Sequence, residues 1–159
     1  MILRTVEELS QYFDNKINGA KKAIAEATTV LESNIILDTP PDSGNARSRW
    51  TASLDVPQTD PNVWTGQDAN PEGAYRNMVY HRTESPSSRY AMNKNQDVIN
   101  NSGGHVLYLV NDTEYISSLE MGRPQGERFS TSLQAPMGFV RKNVPNYDKY
   151  LEKALREVD

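Results

Sequence analysis

Val6, Leu9, Phe13, Ile17, Ala20, Ile24, Ala27, Leu31 and Ile35 recur at steps of three and four. That spacing sets them on one stripe of a single amphipathic helix. Thr5-Val6-Glu7-Glu8 opens it as a capping box, in which the Thr hydroxyl and the Glu carboxylate each serve an orphan amide. Thr39-Pro40-Pro41 closes it near Leu37, because a residue before proline is pushed out of the helical region. The segment 1–38 is therefore dominated by one helix, which from its cap at Thr5 to about Leu37 is roughly 48 Å long in a domain about 30 Å across. Such a helix either lies across the domain's sheet or sends one end onto a neighbouring subunit. Gly19, Ala20, Ala23 and Ala27 allow close approach in both cases.

A second unit follows at His105–Gly122. Val106–Val110 is an unbroken apolar run and predicts a strand buried on both faces. Asn111-Asp112 turns the chain, since short Asx side chains bond to their own backbone. Tyr115, Ile116 and Leu119 then keep helical spacing, and Gly122 is positioned to end that short helix as a left-handed cap.

Between these units, Pro40-Pro41-Asp42-Ser43-Gly44 is a turn, with Gly supplying a positive φ. Trp50, Ala52, Leu54 and Val56 alternate with Thr51, Ser53 and Asp55, the period of a half-buried strand. The segments 57–73 and 123–133 are polar and read as exposed loops, long enough to be functional. Glu72–Arg82 and Ser87–Asn100 have helical character, the second burying Tyr90, Ala91, Val98 and Ile99. Val140, Val144, Tyr147, Leu151, Leu155 and Val158 predict a last helix, with Pro145 in its first turn, where a missing amide costs nothing. The expectation is one α+β domain: a small, mainly antiparallel sheet packed by the long N-terminal helix and a C-terminal helix, with long loops.

The totals exclude several classes of function. The 159 residues carry a net charge of −4 and 36% hydrophobic residues, so bulk attraction to nucleic acid or anionic membrane is disfavoured. With no cysteine there is no disulfide, thiolate metal site or cysteine nucleophile. No apolar stretch approaches membrane-spanning length, and charges at Glu7 and Glu8 break the pattern of a signal peptide. His81 and His105 are the two histidines, and neither sits at a spacing that builds a triad or a zinc site. Asp38, Asp42, Asp55 and Asp60 cluster in sequence, but turn, cap and surface roles account for them better than a metal does. No phosphate-cradling glycine pattern and no nucleophile elbow is present. Arg47 and Arg49 beside Trp50, and Arg123 and Arg128 beside Phe129, are basic–aromatic pairings that more often form solvated faces than nucleic-acid contacts. No catalysis, cofactor or metal is expected.

Four motifs occur in order: Thr39-Pro-Pro-Asp-Ser-Gly-Asn-Ala-Arg-Ser-Arg-Trp50, Leu107-Tyr-Leu-Val-Asn-Asp-Thr-Glu-Tyr115, Leu119-Glu-Met-Gly122 and Gln134-Ala-Pro-Met-Gly-Phe-Val-Arg141. Together they resemble the neck, or tail-completion, family of tailed bacteriophages, the small proteins that join head to tail. Ser43, Ala46, Asp112 and Met121 depart from that pattern, which has Thr, a larger apolar residue, Asn and an aromatic there. The four motifs cover about a fifth of the chain, and nothing in Gln58–Gly104 aligns.

The resemblance implies a structural virion protein assembled in the host cytoplasm. It would form a ring, expected sixfold, around the DNA channel, between the connector or stopper side and the tail tube or terminator. DNA would pass without specific binding, which suits an acidic subunit. The residues expected to hold the fold or the subunit seam are Asp42, Gly44, Arg47, Gln134, Pro136, Gly138 and Arg141. Tyr115, Met121, Gly122, Arg123 and Arg128 are the remaining interface candidates. Local turn and cap chemistry is the competing explanation for all of them. The alternative function is a monomeric, soluble assembly factor or binding module for phage morphogenesis.

Overall fold

The computed structural model describes residues 5–40, 44–62, 64–66, 68, 84–121, 123–125, 128–130 and 138–158, the side chains of 123–130 excepted. Helix α1 runs over Val6–Asp38 and starts on the expected capping box: Glu8 N donates to Thr5 Oγ1 at 3.1 Å, and Thr5 N donates to the Glu8 carboxylate at 3.1 Å. Its end is extended backbone at Thr39, as a residue before proline requires. The apolar stripe is not buried along its whole length. Ala23, Ala27, Ile35 and Ile36 are buried, whereas Val6, Phe13 and Ile17 are 80%, 54% and 53% exposed. The projecting end is the N-terminal one.

The last helix explains the division. Past the short helix α5 (Val140–Asn143), a 3-10 turn at Val144–Asn146 leads into α6 (Tyr147–Val158). Pro145 thus sits in the turn ahead of α6 and not inside its first turn. Helix α6 runs back along α1. Tyr147 Oη meets Thr28 Oγ1 at 3.5 Å, Asn34 Nδ2 donates to Tyr150 Oη at 2.9 Å, and Val158 reaches Gly19. Beyond Gly19, toward the N-terminus, α6 has ended.

The other face of α1 meets α3 (Pro86–Asn100). Ser85 and Ser88 cap α3 reciprocally, with Pro86 in its first turn. Its inward residues are Ala91, Asn95 and Ile99, while Tyr90 and Val98 are only half-buried. Strands β1 (Trp50–Leu54) and β2 (Leu107–Asn111) pair antiparallel, Trp50 opposite Asn111 and Leu54 opposite Leu107. The core is Ile35, Ile36, Trp50, Ala91 and Phe139, with the Trp50 and Phe139 rings edge to face at 5.9 Å. The molecule is α+β, with a two-stranded antiparallel sheet against long helices.

Three expectations are corrected here. β2 is half-buried along its length and Val106 is 59% exposed, so the apolar run is not buried on both faces. Among the described residues β2 has a strand on one side only. β1 stops at Leu54: Asp55 takes a left-handed φ of 61° and Val56 is 58% exposed. The segment read as the loop 123–133 carries two strands, β3 (Arg123–Gln125) and β4 (Arg128–Ser130), paired antiparallel. The expected helix at Glu72–Arg82, the histidine at 81 and the cap at Gly122 lie outside the described residues. Where 57–68 is described it has no regular structure, as expected. No helix among the described residues is long and apolar enough to cross a membrane.

Candidate functional site

Arg47 lies in the short helix α2 (Asn45–Ser48) and is 1% exposed. A buried guanidinium needs partners for its donors. Its Nε donates to the Thr39 carbonyl at 2.7 Å, one Nη to the Leu37 carbonyl at 3.0 Å and the other to Ser85 Oγ at 3.2 Å. The Leu37 and Thr39 carbonyls are orphan acceptors at the end of α1, where a cation also suits the helix dipole. Thr39 completes the joint: its Oγ1 donates to the Ile35 carbonyl at 2.8 Å and accepts from Trp50 Nε1 at 2.9 Å. Arg47, expected among the residues that hold the fold or the subunit seam, thus bolts the end of α1 to the start of α3, and Thr39 carries the joint on to Trp50 of β1.

Gly44 has a φ of +84°. A Cβ there would also stand 2.5 Å from the Trp64 ring and 2.9 Å from an Asp68 carboxylate oxygen. Asp68 is buried, accepts from Ser87 N at 2.9 Å and bonds Ser87 Oγ. The polar loop is thus pinned at Asp68 to the start of α3, directly over Gly44.

The third and fourth motifs are one clasp. The Glu120 carboxylate accepts from the backbone N–H of Phe139 (2.7 Å), Val140 (3.1 Å) and Arg141 (2.9 Å), and from Arg141 Nε at 3.2 Å. Arg141 also donates to the Glu120 carbonyl. Gly138 has a φ of +69°, and a Cβ on it would meet the Glu120 carboxylate at 2.5 Å. Gly138 and Arg141 are accordingly structural. Their partner Glu120, at the end of α4 (Ile116–Met121), was not among the expected site residues. Its sequence signal is the spacing between an acidic helix end and the Gly-Phe-Val-Arg run. The clasp fixes both ends of the chain excursion that contains β3 and β4.

A buried polar network was also not legible. Asn95 is 1% exposed; its Oδ1 accepts from Ala52 N at 2.9 Å, and its Nδ2 donates to the Trp50 carbonyl at 2.9 Å and to Glu32 Oε1 at 2.6 Å. Glu32 is 2% exposed, and burial pushes its carboxyl up to about 7, against the lowering effects of the Asn95 hydrogen bond and the Lys94 charge. His105 is exposed and bonded to Asp55 at 2.8 Å, a solvated pair at the end of the sheet. That bond and one from Val106 N hold the Asp55 carboxyl below the usual range. Arg49 pairs with Asp112 at 3.2 Å and Lys94 with Asp60 at 3.2 Å. Among the described residues no group of three or more His, Asp or Glu is placed to hold a metal ion.

Among the described residues, two groups of exposed apolar side chains stand out. One is the uncovered end of α1, with Val6, Leu9, Tyr12, Phe13 and Ile17, where the Tyr12 and Phe13 rings sit edge to face at 5.8 Å. The other is at the α4 corner, where Tyr115 is 43% and Met121 57% exposed. Tyr115 and Met121 thus face outward, as does the Arg141 side chain, whereas Gly44, Arg47 and Gly138 are buried. For Arg123 and Arg128 the structure gives strand position only, and Asp42, Gly122, Gln134 and Pro136 lie outside the described residues. No family model, curated protein or solved structure matches the chain.

Proposed function

We propose that this chain is a structural subunit of a bacteriophage neck: a non-catalytic protein that forms a ring joining the head or connector to the tail, around the DNA channel. One observation carries the reading beyond the resemblance. The apolar stripe of α1 continues for about three turns beyond the end of α6 with Val6, Phe13 and Ile17 more than half exposed. An exposed apolar helix end of that size is a contact surface in a soluble protein. The rigid joints at Arg47 and Glu120 support the same reading, since they hold two loops at fixed bases from which neighbouring rings can be met. The net charge of −4 suits a channel that must not grip a passing polyanion.

Light scattering on the purified protein over a range of concentrations tests the ring. The reading predicts a discrete oligomer of defined mass, and a monomer at every concentration and in the presence of the partner rings would contradict it.

A further inference from the structure

Among the described residues, the two small sheets each have one edge closed and one edge without a partner. In β1, Ala52 N and the Trp50 carbonyl point away from β2, because both bond to Asn95 of α3. In an antiparallel pair, residues opposite one another either exchange both hydrogen bonds or both face outward. Trp50 and Ala52 therefore stand in outward-facing pairs with Asn111 and Leu109, and Leu54 with Leu107. The bond from Asp55 N to the Val106 carbonyl, 2.7 Å, fits this register, since the inward-facing pairs are then Thr51–Val110 and Ser53–Tyr108. Asn95 fills the β1 edge. On the β2 edge, the outward N–H and C=O groups of Leu107 and Leu109 bond to no described residue. They lie on a half-buried apolar strand, and an edge of that kind is a template for another strand.

The hairpin has the opposite asymmetry. Pro124 stands opposite Phe129 and has no N–H to give. The ladder bonds consequently fall at Arg123–Ser130 and Gln125–Arg128, and Pro124 and Phe129 face outward. The β3 edge thus lacks its central donor, as blunted edges do, while β4 offers both the N–H and the C=O of Phe129.

We infer that β4 of one subunit adds to the β2 edge of a second copy of this chain, making one four-stranded sheet, β1-β2-β4-β3, across the subunit seam. Each copy carries one open edge on its body and one on a hairpin anchored by the Glu120 clasp. Two different, complementary edges make a head-to-tail contact, the kind that closes into rings. A two-stranded sheet is marginal by itself and gains stability from further strands. This inference rests on the ring reading above and assigns its seam.

Phe129→Pro removes the one free donor on β4 while leaving the hairpin's own ladder bonds, as Pro124 already does on β3. The expected result is about a tenfold or larger rise in the concentration needed for assembly, with an unchanged circular dichroism spectrum. Hydrogen exchange on the wild-type oligomer supplies an independent readout: the amides of Leu107, Leu109 and Phe129 become protected on assembly. An oligomer with those amides still fast, or with assembly unmoved by Phe129→Pro, overturns the seam and leaves the ring standing. A wild-type chain that forms no oligomer overturns both.

Discussion

Glu32 is the residue whose environment is most at odds with its chemistry. Folding raises its carboxyl from 4.5 to about 7, so the folded state holds a proton that the unfolded state releases. The sign follows: this group leaves stability highest below about pH 4.5, costs stability progressively from there to about pH 7, and changes nothing further above. At about 1.4 kcal/mol per pH unit, the loss over that interval is on the order of 3 kcal/mol. Glu32→Gln keeps an acceptor for Asn95 and removes the titration. Urea unfolding at pH 5 and pH 8 should show the wild type losing stability relative to the variant, and parallel profiles would contradict the buried neutral acid. At the clasp, Glu120 serves three backbone amides and one guanidinium. Glu120→Ala should therefore cost about 2–4 kcal/mol. Gly138→Ala should cost about 1–3 kcal/mol, through its positive φ and the displaced carboxylate. Thermal unfolding measures both, and a shift in Tm of less than a degree for either would remove the clasp from the account.

At the scale of elements, what could be read from the residues and what could not divide along physical lines. The capping boxes at Thr5 and Ser85, the stop at Thr39 and the positive φ at Gly44 depend on a few neighbouring residues, and three of these four were expected. Ser85 was missed because the helix was expected to begin only at Ser87, which left Ser85-Pro86 outside it. Which part of the α1 stripe is buried depends on where α6 ends, a long-range fact that periodicity does not carry. β2 misled for a related reason: a run of Leu, Tyr, Leu and Val reads as doubly buried, and edge or centre is decided by partners elsewhere. Arg47 was expected to hold the fold or the seam and Glu120 was passed over; the bonds each makes could not be read for either, because their partners lie in other elements. The element-scale prediction concerns α1. Leu9→Glu and Phe13→Glu together should leave monomer stability within about 1 kcal/mol, since both side chains are exposed and meet no other element of the core, yet abolish the oligomer that the ring reading predicts, as measured by light scattering. A large loss of stability would mean that this end packs on its own subunit.

As a whole molecule the chain is a rigid core with three presented features: the α1 end, the loop pinned at Asp68, and the hairpin held by Glu120. Four ordered motifs resolve, where they are described, into joints that position these features. Arg47 locks the first motif, Asn111 Nδ2 bonds the Ala46 carbonyl at 2.6 Å in the second, and Glu120 ties the third to the fourth. That arrangement suits a part in a larger assembly. The most direct test is quantitative mass spectrometry of purified virus particles made by the genome that encodes this chain. The account predicts the chain in every particle at a copy number set by one closed ring, about six, retained after tails and heads are separated on one side of the junction. Absence of the chain from particles that are complete and infectious would contradict it.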